Sequence, residues 1–244
     1  MTIHGAGTAR CPQPATRAGW REAGARRDNR PMNAQIQHWG EGLRLLVEWL
    51  ATAAFALSGV LEAARKRLDA VGVCVVAFLA AFGGGTLRDL LLDHRPFFWV
   101  AHVEVLWAVL ALAVGAMLWM RRGHIAPTER AIQWPDALGL GLFTAAGTHR
   151  ALVEGMPALV AVLMGVLTAV FGGVLRDMVC NEIPTAFRDH RPYAVFAFAG
   201  GWLYVALWAA GAPGWAALLG CVVLAAGLRA LALWRDWRLP AWQT

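Results

Sequence analysis

Residues 83–89 read GGGTLRD and residues 171–177 read FGGVLRD, 88 positions further on. The same register runs without a gap from Phe55–Pro96 onto Phe143–Pro184. Its identities include Phe55/Phe143, Gly59/Gly147, Ala63/Ala151, Ala70/Ala158, Leu79/Leu167, Gly84/Gly172, Gly85/Gly173, Leu87/Leu175, Arg88/Arg176, Asp89/Asp177 and Pro96/Pro184. Alanines and leucines recur by composition alone. Gly-Gly-x-Leu-Arg-Asp with a proline seven residues on, twice in one register, does not. A second echo, DHRP at 93–96 and 189–192, is offset by 96 and reads as an eight-residue insertion or as coincidence.

The repeat is set in an apolar chain. Of 244 residues, 58% are hydrophobic and only 16% charged, with a mean hydropathy of +0.49; soluble domains hold about 25% charged residues. Apolar runs fall at 45–64, 70–92, 100–120, 134–152, 157–180, 193–211 and 214–234. Each is near the ~20 residues that a helix needs to cross a bilayer. A soluble helix would show a charged stripe, yet Val105–Met120 holds no charge. The 13 Trp and 26 Gly agree, because Trp gathers at membrane interfaces and Gly is common in membrane helices. The predicted fold is all-α and integral to the membrane: seven transmembrane helices as two three-helix repeats, 45–131 and 132–211, plus a seventh helix over 212–235. A tail over 236–244 follows it.

An odd number of spans per unit makes the second repeat enter the membrane from the opposite side. Charge agrees with inversion. Arg65, Lys66 and Arg67 follow the first helix, whereas their counterparts are Val153, Glu154 and Gly155. With the amino end outside and the carboxyl end cytoplasmic, the inner segments carry Arg65, Lys66, Arg67, Arg121, Arg122, Arg130, Arg188, Arg191, Arg235 and Arg238. The outer loops carry little beyond Arg95 and Arg150, a positive-inside asymmetry. Only residues 1–40 oppose it. They form an Arg-rich stretch without an apolar signal core, expected to be disordered, with Met32 as an alternative start.

The glycine blocks lie within two spanning helices. Adjacent glycines invite a bend or a short unwound stretch, and freed backbone groups at membrane depth must be covered by protein or line a watery cavity. Interrupted helices at matching places in two inverted halves point to a transport site; close helix packing is the competing reading. Gly83, Gly84, Gly85, Arg88 and Asp89, with Gly172, Gly173, Arg176 and Asp177, are the candidate pathway residues. An intramembrane charge costs from ~2.5 kcal/mol upward at the helix centre and seeks a partner in the bundle interior. Neighbouring helical residues point about 100° apart, so Arg and Asp of one block are expected to be poor mutual partners. Pairing across the two halves is the expectation, with snorkelling to the interface as its rival.

Other features carry less. Glu48, Glu62, Glu104, Asp136 and Arg150 lie near helix ends, within expected reach of interfacial water, as does His149. Cys11, Cys74, Cys180 and Cys221 show neither a disulfide framework nor metal-ligand spacing. No nucleophile–base arrangement and no phosphate loop is present, so no enzyme, cofactor, metal or nucleic-acid partner is expected.

Two GGGxxRD-type blocks with a downstream proline in a seven-helix chain resemble the bacterial UPF0126, or glycine-transporter-domain, family, which is similar to the trimeric intracellular cation (TRIC) channels. The resemblance covers about 45–235. It implies a homotrimer in the bacterial inner membrane, a Gly-kinked pore in each protomer, and conduction of monovalent cations, chiefly potassium. The family's other name implies a carrier of glycine or another small amino acid, and a non-transporting scaffold is the remoter reading. Phe171 departs from a full second glycine triplet. Ala80-Ala81-Phe82 stands where the animal channels have a Lys-Glu pair and a phosphoinositide site, so that site is not expected here, although membrane lipid is a general partner.

Overall fold

The computed structural model describes residues 41–123, 127–188 and 192–237. The expected tail over 1–40, Arg191, and Arg238 with the end of the second tail lie outside the described residues. The described residues form α1 (Glu41–Arg65), α2 (Ala70–Leu91), the short α3 (Phe98–Ala101), α4 (Val103–Gly123), α5 (Glu129–Val153), α6 (Ala158–Val179), the short α7 (Thr185–Arg188), α8 (Ala194–Ala209) and α9 (Gly214–Arg235).

Local chemistry sets these boundaries. The Asp69 carboxylate accepts the Gly72 amide at 2.7 Å and caps α2, and the Thr128 hydroxyl accepts the Ala131 amide at 3.3 Å at the start of α5. Pro157 and Pro213 precede α6 and α9. After α5 the chain turns at Gly155, φ +77°, and the Met156 amide reaches back to the Ala151 carbonyl at 3.0 Å. The equivalent turn after α1 places Arg67 at φ 56°. Asp93 and Asn181, at φ 54° and 55°, form a second matched pair of left-handed corners 88 positions apart.

Among the described residues, five helices are long and apolar enough to span a bilayer: α2, α4, α6, α9 and the Leu45–Arg65 part of α1. The other two expected spans fall short of that measure for different reasons. α8 is apolar but has 16 residues. α5 has 25 residues but holds Glu129, Arg130, Asp136 and Arg150. It lies at the centre of the bundle, packed on α1, α6, α8 and α9, with every residue from Gly139 to Thr148 buried. Over that stretch it meets protein rather than lipid, so it need not be strongly apolar along its length.

The outer surface is apolar: Val71, Trp107, Trp119 and Val223 are each about 70% exposed. Water would penalise such a surface, and hydrocarbon accepts it. One inner cluster gathers Phe55, Leu140, Phe143, Ala169, Tyr204 and Cys221; another gathers Val60, Val76, Ala77, Phe82 and Val105. Helix directions follow from the contacts. The Ser58 hydroxyl donates to the Ile132 carbonyl at 3.1 Å, and the Phe55 ring stacks on Phe143 at 5.4 Å, so α1 and α5 are antiparallel. α2 and α6 are antiparallel too. Gly84 lies against the Thr168 backbone and Gly172 against the Ala80 backbone, and these contacts exchange when the halves are exchanged.

Candidate functional site

Both glycine-bearing helices run unbroken through their clusters, so the unwound stretch considered above is not there. Gly84 and Gly172 lack side chains for a packing reason. A Cβ on Gly84 would collide with the Thr168 carbonyl oxygen, and one on Gly172 with the Ala80 carbonyl oxygen. Gly83 faces the Leu175 side chain. The third positions differ: a Cβ on Gly85 would meet nothing within 4 Å, while one on Gly173 would sit 3.3 Å from Asp136 Oδ1 and 3.4 Å from the Tyr193 hydroxyl.

One turn further along each helix is a buried ion cluster. Arg88, 3% exposed, donates from Nε to Asp89 Oδ1 at 2.8 Å and from Nη1 to Glu48 Oε1 at 3.2 Å. The second Asp89 oxygen accepts the Phe98 amide at 3.2 Å at the start of α3. Arg176, 2% exposed, donates from Nε to Asp177 Oδ1 and from Nη1 to Asp136 Oδ1, both at 2.8 Å. Asp177 Oδ2 accepts the Thr185 amide at 2.8 Å and its hydroxyl at 3.1 Å at the start of α7. Glu48 and Asp136 are 88 positions apart, so the whole cluster is duplicated, not only the Arg-Asp block.

Three expectations are corrected here. Arg and Asp of one block do pair, because the long guanidinium arm curls across the 100° step between neighbouring residues. The pairing does not cross between halves: each arginine takes a carboxylate from its own repeat, forty residues upstream. The contact that does cross is Arg176 Nη1 to the Ser58 hydroxyl. Neither arginine snorkels. Glu48, Asp136 and Glu62 are 3%, 2% and 4% exposed, so interfacial water does not reach them as expected, whereas Glu104 is exposed.

Each cluster sets one guanidinium between two carboxylates. The two clusters lie at opposite ends of the bundle. The Arg88 cluster sits with the start of α1 and, through Arg150 Nη2 and His94 Nδ1 at 2.7 Å, with the end of α5. The Arg176 cluster sits with the later part of α1 and the start of α5. Beside it a small cleft, with room for about 20 Å³, opens among Glu62, Arg65, Glu129, Gln133, Asp177 and Glu182. Arg65 pairs with Glu62 at 2.8 Å, and Lys66 pairs with Glu182, fastening the end of α1 to the α6–α7 segment. Among the described residues no group of three or more His, Cys, Asp or Glu is placed to hold a metal ion.

Sequence reasoning missed Glu48, Asp136, Tyr193 and Arg229. The first two were within reach, since extending the repeat register seven residues upstream of Phe55 pairs two acids. Tyr193, whose hydroxyl donates to Asp136 Oδ2 at 2.7 Å, and Arg229, 1% exposed and 4.8 Å above the Tyr193 ring, have no repeat signal. The second copy of the DHRP echo falls largely outside the described residues, while Pro96 and Pro184 share a position just before the short helix.

A helical membrane protein with a duplicated buried ion cluster is the class that this geometry defines. The glycine-transporter family matches the chain twice, over 45–121 and 133–209, segments whose starts are again 88 positions apart. A UPF0126 membrane protein of Vibrio cholerae is 38% identical over 74% of this chain and 74% of its own length. The UPF0126 inner membrane protein YadS of Escherichia coli K12 is 39% identical over 64% of this chain and 76% of its own. The chain belongs to this family, UPF0126, the glycine-transporter-domain proteins. Among solved structures, a TRIC trimeric intracellular cation channel orthologue from Rhodobacter sphaeroides superposes with a TM-score of 0.75 at 37% identity, covering 80% of this chain and 99% of that one. A second TRIC cation channel gives 0.73 at 29% identity, over 82% and 97%. These are transporter and channel folds, not enzymes, as the sequence suggested.

Proposed function

We propose that the chain is a channel for monovalent cations, potassium foremost, with seven spans arranged as two inverted three-helix repeats and a final helix. The carrying observation is the pair of buried arginine–carboxylate clusters at opposite ends of two antiparallel, equivalent helices in a TRIC-like fold. Carboxylates in a low-dielectric wall attract cations and repel anions, and rings of acidic side chains are a common basis of cation selectivity. The arginines then act as barriers, holding carboxylates that would otherwise bind a passing ion too tightly.

In this reading α5 and α8 complete the seven spans, the amino end is outside, and the carboxyl end is cytoplasmic in the bacterial inner membrane. The repeats occupy 45–131 and 132–211, and the last helix 212–235. Gly83, Gly84, Gly85, Arg88 and Asp89 border the path from one side, and Gly172, Gly173, Arg176 and Asp177 from the other. Gly85 has the open flank that a path requires. Each protomer of a homotrimer carries its own pore. Carriage of glycine is the second reading, supported by the family's description. Purified protein in planar bilayers under a potassium gradient tests the choice. A channel gives unitary currents reversing near the potassium equilibrium potential; a carrier gives labelled-glycine uptake and no unitary currents.

A further inference from the structure

The two repeats differ at the turn between their first two helices. After α1 the turn carries Arg65, Lys66 and Arg67, and α4 ends on Arg121 and Arg122. In the register of 88 the second copy has Val153, Glu154, Gly155, Ala209 and Ala210 at those places, so it keeps none of the five cations. The apolar filling differs as well. Tyr204 and Trp208 stand where the first copy has Ala116 and Met120; their rings stack at 6.3 Å, and Trp208 meets His149 edge-on at 5.6 Å. The smaller side chains leave the first copy with an open cleft of about 510 Å³ between the end of α1, the start of α2 and the end of α4. Small-molecule sites occupy about 300–1,000 Å³.

The lining of this cleft joins three cations, Arg65, Arg67 and Arg121, to apolar side chains that include Val73, Met117 and Met120. Arg65 is held by Glu62 at 2.8 Å and lies 3.6 Å from Glu182. Among the described residues, Arg67 and Arg121 enter no ion pair, and both are exposed. Asp69, on the same turn, is engaged in capping α2 through the Gly72 amide. Arg67 also occupies a left-handed corner, φ 56°, where the second copy has Gly155 at φ +77°. Such corners favour glycine, so the first copy keeps an arginine there against the preference of the backbone. The neighbouring surface faces lipid, since Val71 and Trp119 are each about 70% exposed.

We propose that this cleft binds an anionic glycerophospholipid, with the headgroup phosphate between Arg67 and Arg121 and an acyl chain along Val73 and Met117. Guanidinium groups engage phosphate oxygens through paired N–H donors, and basic pockets between spanning helices take anionic headgroups. A free anion would use the arginines but not the apolar lining, which lipid alone explains. The site shares no residue with the glycine blocks or with either Arg-Asp pair. It requires the membrane-spanning fold alone; that its leaflet is the cytoplasmic one rests on the orientation proposed above.

The test is native mass spectrometry of the full-length protein, released from detergent and titrated with phosphatidylglycerol or with phosphatidylcholine of the same chains. The wild type should prefer phosphatidylglycerol. R67Q/R121Q should weaken phosphatidylglycerol binding about 30-fold, the combined effect of two arginines at an anionic lipid, and leave phosphatidylcholine binding unchanged. R130Q/R235Q removes the same charge from exposed positions outside the cleft and should weaken it about twofold at most. M117W fills the cleft while keeping every arginine; it should also weaken binding, and it carries the test if R67Q/R121Q does not yield folded protein. The readout needs no ion flux, so it stands whether or not currents are found. Equal losses in the two charge pairs would overturn the site in favour of diffuse attraction to a basic surface. Displacement of the lipid by millimolar inorganic phosphate would overturn it in favour of a free-anion site. Unchanged binding in both R67Q/R121Q and M117W would overturn it outright.

Discussion

Replacing Arg176 with Met should damage this protein more than replacing either of its carboxylate partners. In the wild type the guanidinium lies 2.8 Å from both Asp136 and Asp177, at 2% exposure, and the three groups sum to one negative charge. R176M removes the only cation in that set and leaves two buried carboxylates facing each other, taking the local sum to two negative charges. Breaking a buried pair in this way costs about 3–5 kcal/mol. D136N instead leaves Arg176 with Asp177, but its single amide oxygen can accept from only one of Arg176 and Tyr193 while the NH2 faces the other, a loss of about 1–3 kcal/mol. The double variant R176M/D136N should recover part of the loss, since only one carboxylate is then stranded, and the coupling should reach about 1–3 kcal/mol. Thermal melting of the detergent-solubilised protein reads this order, with R176M lowered by roughly 10 °C for a chain of this length. R88M, E48Q and R88M/E48Q should repeat the pattern. If R176M melts with the wild type, or the double variant is as poor as the sum of the singles, the charges are not one coupled cluster.

The glycines should separate by position. Gly84→Ala and Gly172→Ala should each cost about 1–3 kcal/mol, because the added methyl meets a facing carbonyl of the partner helix, whereas Gly85→Ala should leave the melting temperature unchanged or raise it. Topology is read by labelling: a cysteine in the Met156–Pro157 turn should react from outside the cell and a reporter fused after Thr244 should be active only in its cytoplasmic form. Cytoplasmic reactivity at the turn would sink the inverted arrangement. Cross-linking in mild detergent should stop at trimers, and a stable monomer with full currents would show that each pathway needs no assembly.

Much of this fold is legible in the sequence because lipid makes the code simple. Five helices announce themselves by length and hydropathy. α5 does not, since a helix enclosed by other helices need not be apolar throughout, and its Gln133 and Asp136 mark the interior rather than an end. The repeat register located Arg88, Asp89, Arg176 and Asp177. It failed to supply their partners only because the comparison stopped at Phe55, short of Glu48. The glycines were legible as special but not as to why: a bare Gly pair reads equally as a bend or as a close crossing, and only the facing carbonyls of Thr168 and Ala80 decide. Tyr193 and Arg229 left no trace, because what they do depends on how α9, which lies outside the repeat, packs against the second half.

Ion selectivity in a reconstituted bilayer tests the central claim most directly. With potassium chloride at tenfold different concentrations on the two sides, the account predicts discrete currents reversing within a few millivolts of the potassium equilibrium potential, ~58 mV for that gradient since tenfold in concentration is about 1.4 kcal/mol per unit charge. E48Q and D136N, each removing one negative charge from a cluster, should pull that reversal toward zero. Currents reversing near the chloride potential, or labelled-glycine uptake with no unitary current in either gradient, would contradict the account.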